Sequence, residues 1–145
     1  MRRVDASRQL PAEPQRAFDF VADLANLPRW QSGIVSAELT SPPPVGIGST
    51  AHVIRELMGQ RIAVDLTVTA YEPGQRIGLS SAASGIGIEA MLELEPAAAG
   101  CLARFSMEIR AQNVFMKPLE GTVAGAAGSD LETSLERLRT ALEAG

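Results

Sequence analysis

The chain has a single histidine and a single cysteine in 145 residues, His52 and Cys101. A lone cysteine forms no internal disulfide and no cysteine-based metal cluster. A lone histidine nearly excludes a zinc site, and a Ser-His-Asp or Cys-His machine would have to run on His52 alone. No cofactor and no metal are expected. Lysine is nearly missing too: twelve of the thirteen basic residues are arginine, and Lys117 stands alone. The formal net charge is −4, with no basic stripe to neutralise phosphates, which argues against a nucleic-acid partner. No apolar run of about 18 residues occurs, so no membrane span is expected. The N-terminus, Met1-Arg2-Arg3-Val4-Asp5, enters alternation without an apolar signal core, so a cytoplasmic protein is the default expectation. Aromatic residues make up only 4%, with one tryptophan, Trp30, and one tyrosine, Tyr71.

What the sequence does have is pattern. Its length suits a single domain, residues 1–145, with one substantial core. Val4, Ala6 and Leu10 alternate with Asp5, Ser7 and Gln9, which predicts a strand stopped by Pro11. Pro14 suits the first turn of a helix carrying Phe18, Val21 and Ala22 at helical spacing. Asp23, Asn26 and Pro28 cut that helix and leave a second short one ending near Trp30. From Ile34 onward the period changes to two. "IVSAEL", "TAHVIREL", "RIAVDLTVTAYEP", "RIGLSSAA", "IGIEAMLELEP" and "CLARFSMEIRA" read as successive strands, with Met58-Gly59-Gln60 a hairpin turn. In the last of them Ala103, Phe105, Met107 and Ile109 share one face and Arg104, Ser106, Glu108 and Arg110 the other. One covered face and one wet face describe an antiparallel sheet packed on something. That something is a C-terminal helix, with Leu119, Val123, Ala127, Leu131, Leu135, Leu138 and Leu142 at steps of three or four. The sheet is too large for one helix to fill its concave side, so a cavity between them is expected.

In this order the chain resembles the START/Bet v 1-like (SRPBCC) superfamily, in its polyketide cyclase/dehydrase and lipid transport branch. The resemblance rests on "LPAEPQRAFDFVADLANLPRW", on "VGIGS" before a strand, on "VTAYEPGQRI" at a strand corner and on the closing "DLETSLERLRTALE". It implies an α+β helix-grip fold: a curved seven-stranded antiparallel sheet wrapped around the long C-terminal helix, with two short helices between strands 1 and 2. It also implies that Trp30 wedges the junction between those helices and the second strand, at the cavity's rim. There its indole N–H is expected to find a partner.

The candidate chemistry centres on residues 50–57. Thr50, His52, Ile54 and Glu56 form one face of that strand, and Ala51, Val53, Arg55 and Leu57 the other. With the first set inward, His52 and Glu56 form an acid/base pair. With the second set inward, Arg55 is the lone charge in the cavity and holds an anionic head group. The plainest reading of His52 is an outer-face histidine. Asp65 and Glu89 each stand opposite an apolar set and are expected to face water. Trp30, Arg55, Phe105, Met107, Phe115, Met116, Leu119 and Val123 are the candidate ligand contacts, with Met116 a gate at the mouth. Gly121, Gly125 and Gly128 weaken the first half of the helix. They read as added cavity volume first, as close helix packing in a homodimer second, and as a kink or break third.

The leading function is the binding of a hydrophobic small molecule: a lipid, a polyketide, or an aromatic or isoprenoid-like ligand. The alternative is a cyclase/dehydratase-type enzyme using His52, Glu56, Asp65 or Glu89, with Arg55 or Arg104 polarising a carbonyl. A co-chaperone or protein-interaction role, served by an apolar patch around Phe115 and Met116, ranks third.

Overall fold

Seven alternating segments pair into one sheet because each has an apolar face to hide and polar edges to satisfy. The computed structural model describes residues 1–57, 59–83 and 85–144; Met58 of the expected turn, and the side chain of Leu57, lie outside the described residues. The strands are β1 (Arg2–Leu10), β2 (Ile34–Leu39), β3 (Thr50–Leu57), β4 (Gln60–Glu72), β5 (Arg76–Ala83), β6 (Ile86–Ala97) and β7 (Gly100–Ala111). They form one antiparallel sheet in the order β1-β7-β6-β5-β4-β3-β2. The first two strands, β1 and β2, thus lie at opposite edges, and the segment between them must bridge the sheet. That segment holds α1 (Pro14–Ala22), a 3₁₀ turn (Leu24–Asn26) and α2 (Leu27–Trp30). A second 3₁₀ turn (Lys117–Leu119) leads into α3 (Glu120–Ala144). This is the expected helix-grip fold.

Local chemistry sets the boundaries. Pro14 opens α1, where its missing N–H costs nothing. Asp23 leaves the helical region at ψ 98 and accepts a hydrogen bond from the Ala25 N–H at 3.2 Å, which caps the turn that follows. Gly33 turns the chain into β2 at φ +92, a backbone conformation few side chains tolerate.

The core lies between the concave face of the sheet and the helices. Val123, Ala127, Leu131, Leu135, Leu138 and Leu142 are all buried along one stripe of α3, which runs closest to β1, β7 and α2. Each fully buried leucine contributes about 2–3 kcal/mol of apolar burial. Leu119, placed in that stripe from its spacing, instead sits in the 3₁₀ turn and is exposed. The tighter turn shifts it off the α3 stripe. Polar links fix the helix lengthwise: Arg16 donates to the Leu142 carbonyl at 2.7 Å and Arg137 to the Pro28 carbonyl at 2.9 Å. Arg8 of β1 pairs with Glu136.

The glycines of α3 do not enlarge the interior. The helix is continuous across them, and Gly121 and Gly125 face outward. A methyl at Gly125 meets nothing within 4 Å, and one at Gly121 meets only the Arg2 guanidinium, at 3.5 Å. Gly128 is half-buried, and a methyl there would reach Val4 at 3.9 Å, an ordinary contact. Gly100 is the opposite case: at φ +145, its added Cβ would lie 2.3 Å from the Leu10 carbonyl oxygen. One substitution therefore has two signs. Gly125→Ala should gain about 0.5–1 kcal/mol and raise Tm by about 2 °C, whereas Gly100→Ala should cost more than about 4 kcal/mol. Thermal melts by circular dichroism check both.

The start of α3 is held by Glu120, which is buried. Its carboxylate accepts from the Ala111 N–H at 2.6 Å and from the Met1 amino group at 3.0 Å, with the Lys117 ammonium at 3.5 Å. These contacts, the backbone hydrogen bond foremost, pull its pKa from 4.5 down to about 2. A depressed carboxylate stabilises the fold fully above its unfolded value and loses that contribution as pH falls through its folded value. Wild-type Tm should therefore drop between about pH 4.5 and 2, and Glu120→Gln should flatten that part of the profile.

Candidate functional site

The facing of β3 is decided by its neighbours. Arg55 stands opposite Ile34 on β2 and Ile62 on β4, and Val53 stands opposite Ala37 and Val64. Ala51, Val53 and Arg55 are buried on the concave side, while His52 and Glu56 are exposed on the convex side. An acid/base pair of His52 and Glu56 inside the cavity is therefore ruled out by register. His52 instead approaches Asp65 across the strand pair at 3.0 Å, and Glu56 pairs with Arg61 at 3.6 Å, both in water's reach. Asp65 and Glu89 also face out. The bulge in β4 falls between Val68 and Ala70, beyond Asp65, so it does not turn that side chain inward.

The concave side holds a narrow apolar pocket lined by Val21, Trp30, Gln31, Ile77, Leu79, Ala90, Leu92 and Phe105. Its volume is about 10 Å³, the room of roughly one water and far from the several hundred Å³ that a drug-sized ligand needs. The cavity expected beneath the helix is thus closed by its own side chains. A larger recess of about 520 Å³ opens to solvent on the convex face beside Asp65, Thr67, Glu89, Glu108 and Arg110. It is mixed in polarity and borders none of the buried polar groups, whereas another recess of about 500 Å³, beside Arg3, Glu93 and Glu132, borders the buried Ser106.

Trp30 ends α2 and packs on Phe105 of β7, with ring centroids 5.5 Å apart. It is 3% exposed, and its Nε1 is buried with no hydrogen-bond partner among the described residues. The partner expected for the indole N–H is missing: the ring faces the apolar pocket, where β5, β6 and β7 offer only carbon. Tyr71 closes the neighbouring corner edge-on against Phe18, centroids 5.1 Å apart.

A polar group lies beside this pocket, where the turn after Trp30 meets α3. The Ser32 N–H donates to Ser134 Oγ at 2.8 Å, and Ser32 Oγ to Asp130 Oδ1 at 3.3 Å. The Glu56 N–H donates to the Gly33 carbonyl at 2.7 Å, which ties the same turn to β3. Arg55 projects into this region only 8% exposed, and it makes no hydrogen bond or ion pair with any described residue. Burial lowers its pKa, partly offset by the charge of Asp130. Burial likewise raises the pKa of Asp130, against the Ser32 hydrogen bond and the charge of Arg55. No described group of three or more histidine, cysteine, aspartate or glutamate side chains could hold a metal ion.

A model of the family described as "Polyketide cyclase / dehydrase and lipid transport" matches residues 1–143. The chain belongs to this family. Two strains of Mycobacterium tuberculosis carry an uncharacterised relative, 26% identical over 138 residues, which span 94% of this chain and 96% of the relative. Among solved structures, a Thermus thermophilus protein superposes with a TM-score of 0.81 at 18% identity, covering 99% of this chain and 98% of its own. A START superfamily protein from Mycobacterium smegmatis superposes with a TM-score of 0.80 at 17% identity, covering 97% of each chain. At such identities the structures speak for the fold alone.

For this member of the polyketide cyclase/dehydrase and lipid transport family, the remaining candidates divide by position. Met107 and Val123 are buried in the core, on β7 and α3. Phe115 is 86% exposed, and Leu119 also faces solvent. Met116 is half-buried, packed so closely over Gly85 that a Cβ there would lie 2.7 Å from its Cγ. Only Trp30 and Phe105 of the candidates line the pocket. Ile77, Leu79, Ala90 and Leu92 were legible as apolar strand positions but carried no sign of pocket lining. Gln31, a polar residue between a helix and a strand, gave no signal at all. No described helix is long and apolar enough to cross a membrane. The convex placement of His52 and Glu56 has a direct consequence. His52→Ala with Glu56→Ala should leave Tm within about 2 °C of wild type, because exposed pairs contribute little. Calorimetry checks it.

Proposed function

We propose that the protein binds a hydrophobic small molecule between the concave face of the sheet and the helices, with the pocket under Trp30 as its deep end. The observation that carries this reading is the Trp30 indole N–H, buried without a partner against an apolar wall. A buried donor left unmade costs about 1–3 kcal/mol. A ligand that brings one acceptor oxygen to Nε1 recovers that loss, and Gln31 at the same wall offers a second polar contact. The family's description, which includes lipid transport, points the same way.

Binding requires the pocket to open. The first half of α3 suits such motion, since Gly121, Gly125 and Gly128 lower its helix propensity. The preceding loop places Val114 and Phe115 in solvent, 77% and 86% exposed, where an apolar ligand would first meet the protein. The acid/base candidates of the enzyme alternative, His52, Glu56, Asp65 and Glu89, all lie on the face away from the pocket, which favours binding over that reading.

Native mass spectrometry of the purified protein should reveal a stoichiometric apolar passenger, or uptake of N-phenylnaphthylamine, a neutral dye that quenches Trp30 on binding. Ala90→Leu fills the pocket wall with carbon. It should lower dye affinity at least about tenfold while costing about 1–3 kcal/mol of stability. Unchanged affinity in a folded Ala90→Leu variant, or a wild type that takes up no apolar molecule, would sink this reading.

A further inference from the structure

We infer that Arg55 is an anion anchor, which holds the carboxylate of an apolar acid whose body lies in the pocket under Trp30. The inference rests on the binding reading above and names the ligand's chemical class.

The argument begins with donors and acceptors. A guanidinium carries five N–H donors in a planar fork and no acceptor. Arg55 is more than nine-tenths buried on the concave face, and none of its donors meets an acceptor among the described residues. Trp30 Nε1 is fully buried without a partner, whereas the Arg55 fork keeps a sliver of solvent contact. The two flank one short turn: Trp30 precedes it, and Ile34 at its end stands opposite Arg55 in the sheet. The surplus is therefore of donors, collected at one end of an apolar interior. A neutral hydrocarbon leaves that surplus untouched. A carboxylate fits it, because its two oxygens accept from a guanidinium in parallel.

Asp130 is the counter-charge that the fold itself supplies. Its Oδ1 is turned to the Ser32 hydroxyl at 3.3 Å, and its Oδ2 lies near Gly33, where an added Cβ would stand 3.8 Å away. It balances the charge of Arg55 through space without closing an ion pair, so the fork stays open for a ligand. A salt bridge built for stability would have closed that contact, since a buried cation favours the fold only when well paired. Arginine fits the task better than lysine, whose compact ammonium offers no fork.

The test is isothermal titration of wild type, Arg55→Met and Asp130→Asn with dodecanoate and with its methyl ester, at neutral pH. Wild type should bind the acid about ten- to hundredfold more tightly than the ester. Arg55→Met should lose that preference and keep its ester affinity, with the apo Tm unchanged or raised, because an apolar isostere removes a largely desolvated charge that closes no ion pair. Asp130→Asn should tighten the acid several-fold and leave the ester unchanged, a readout that stands if Arg55→Met does not fold. Equal binding of acid and ester by wild type, a retained preference in Arg55→Met, or a marked drop in its apo Tm overturns the anchor alone. A wild type that binds neither probe overturns the anchor and the binding reading together.

Discussion

Everything in this structure follows from a mismatch of widths. Seven strands about 4.8 Å apart span roughly 29 Å, whereas a helix with its side chains is about 10 Å across. One helix cannot dry the concave face. The leucine stripe of α3 covers the β1 and β7 side, and the rest is closed by curvature and by α1 and α2. Trp30 is the largest piece of that second cover. Its position answers why a chain so poor in aromatics spends its one indole at the end of a four-residue helix: Phe105 needs a broad partner there, and the strands opposite supply only carbon.

The same mismatch explains why the interior is apolar yet not inert. Where α3 covers the sheet, its buried stripe is valine, alanine and leucine, and the polar contacts, such as Arg8 with Glu136, lie along its edge. Where the cover is improvised from a turn, polar groups are carried inside with it. Ser32, Asp130 and Ser134 satisfy one another and brace the turn to α3. Trp30 Nε1 is left over, and Arg55 closes no ion pair among the described residues. Residues held against their own preference are those a ligand can reward, because polar groups in a dry site interact more strongly than in water.

Much of the fold was legible from period alone. Two-residue alternation from Ile34 to Ala111, proline at the start of α1 and the spacing from Val123 to Leu142 correspond to elements that form. The site was less legible, for reasons that are physical. Residues 50–57 carry Val53 and Ile54 side by side, so alternation gives no facing; the register with β2 and β4 does. The α3 glycines suggested removed volume, but volume counts only on the buried side of a helix, and Gly121 and Gly125 are on the other. The unmet Trp30 N–H was invisible because a sequence shows the donor and not the wall it faces. Leu119 shows a fourth limit, since a 3₁₀ turn rotates a residue away from the stripe that α-helical spacing assigns it.

A closed pocket changes how affinity is apportioned. When an apolar ligand enters a cavity already dry, it gains burial of its own surface but displaces contacts the protein had made with itself. The walls contribute little, since Ile77, Leu92 and Phe105 are buried before it arrives. Discrimination among apolar ligands of similar size then falls on the groups whose surroundings improve most, and these are the unpaired donors. A hydroxyl or ester at Trp30 would recover one neutral hydrogen bond, whereas a carboxylate at Arg55 would gain a charge-assisted pair at a largely desolvated fork. On the anchor reading, a cation that closes no ion pair within the fold would supply a preference that apolar burial alone could not produce.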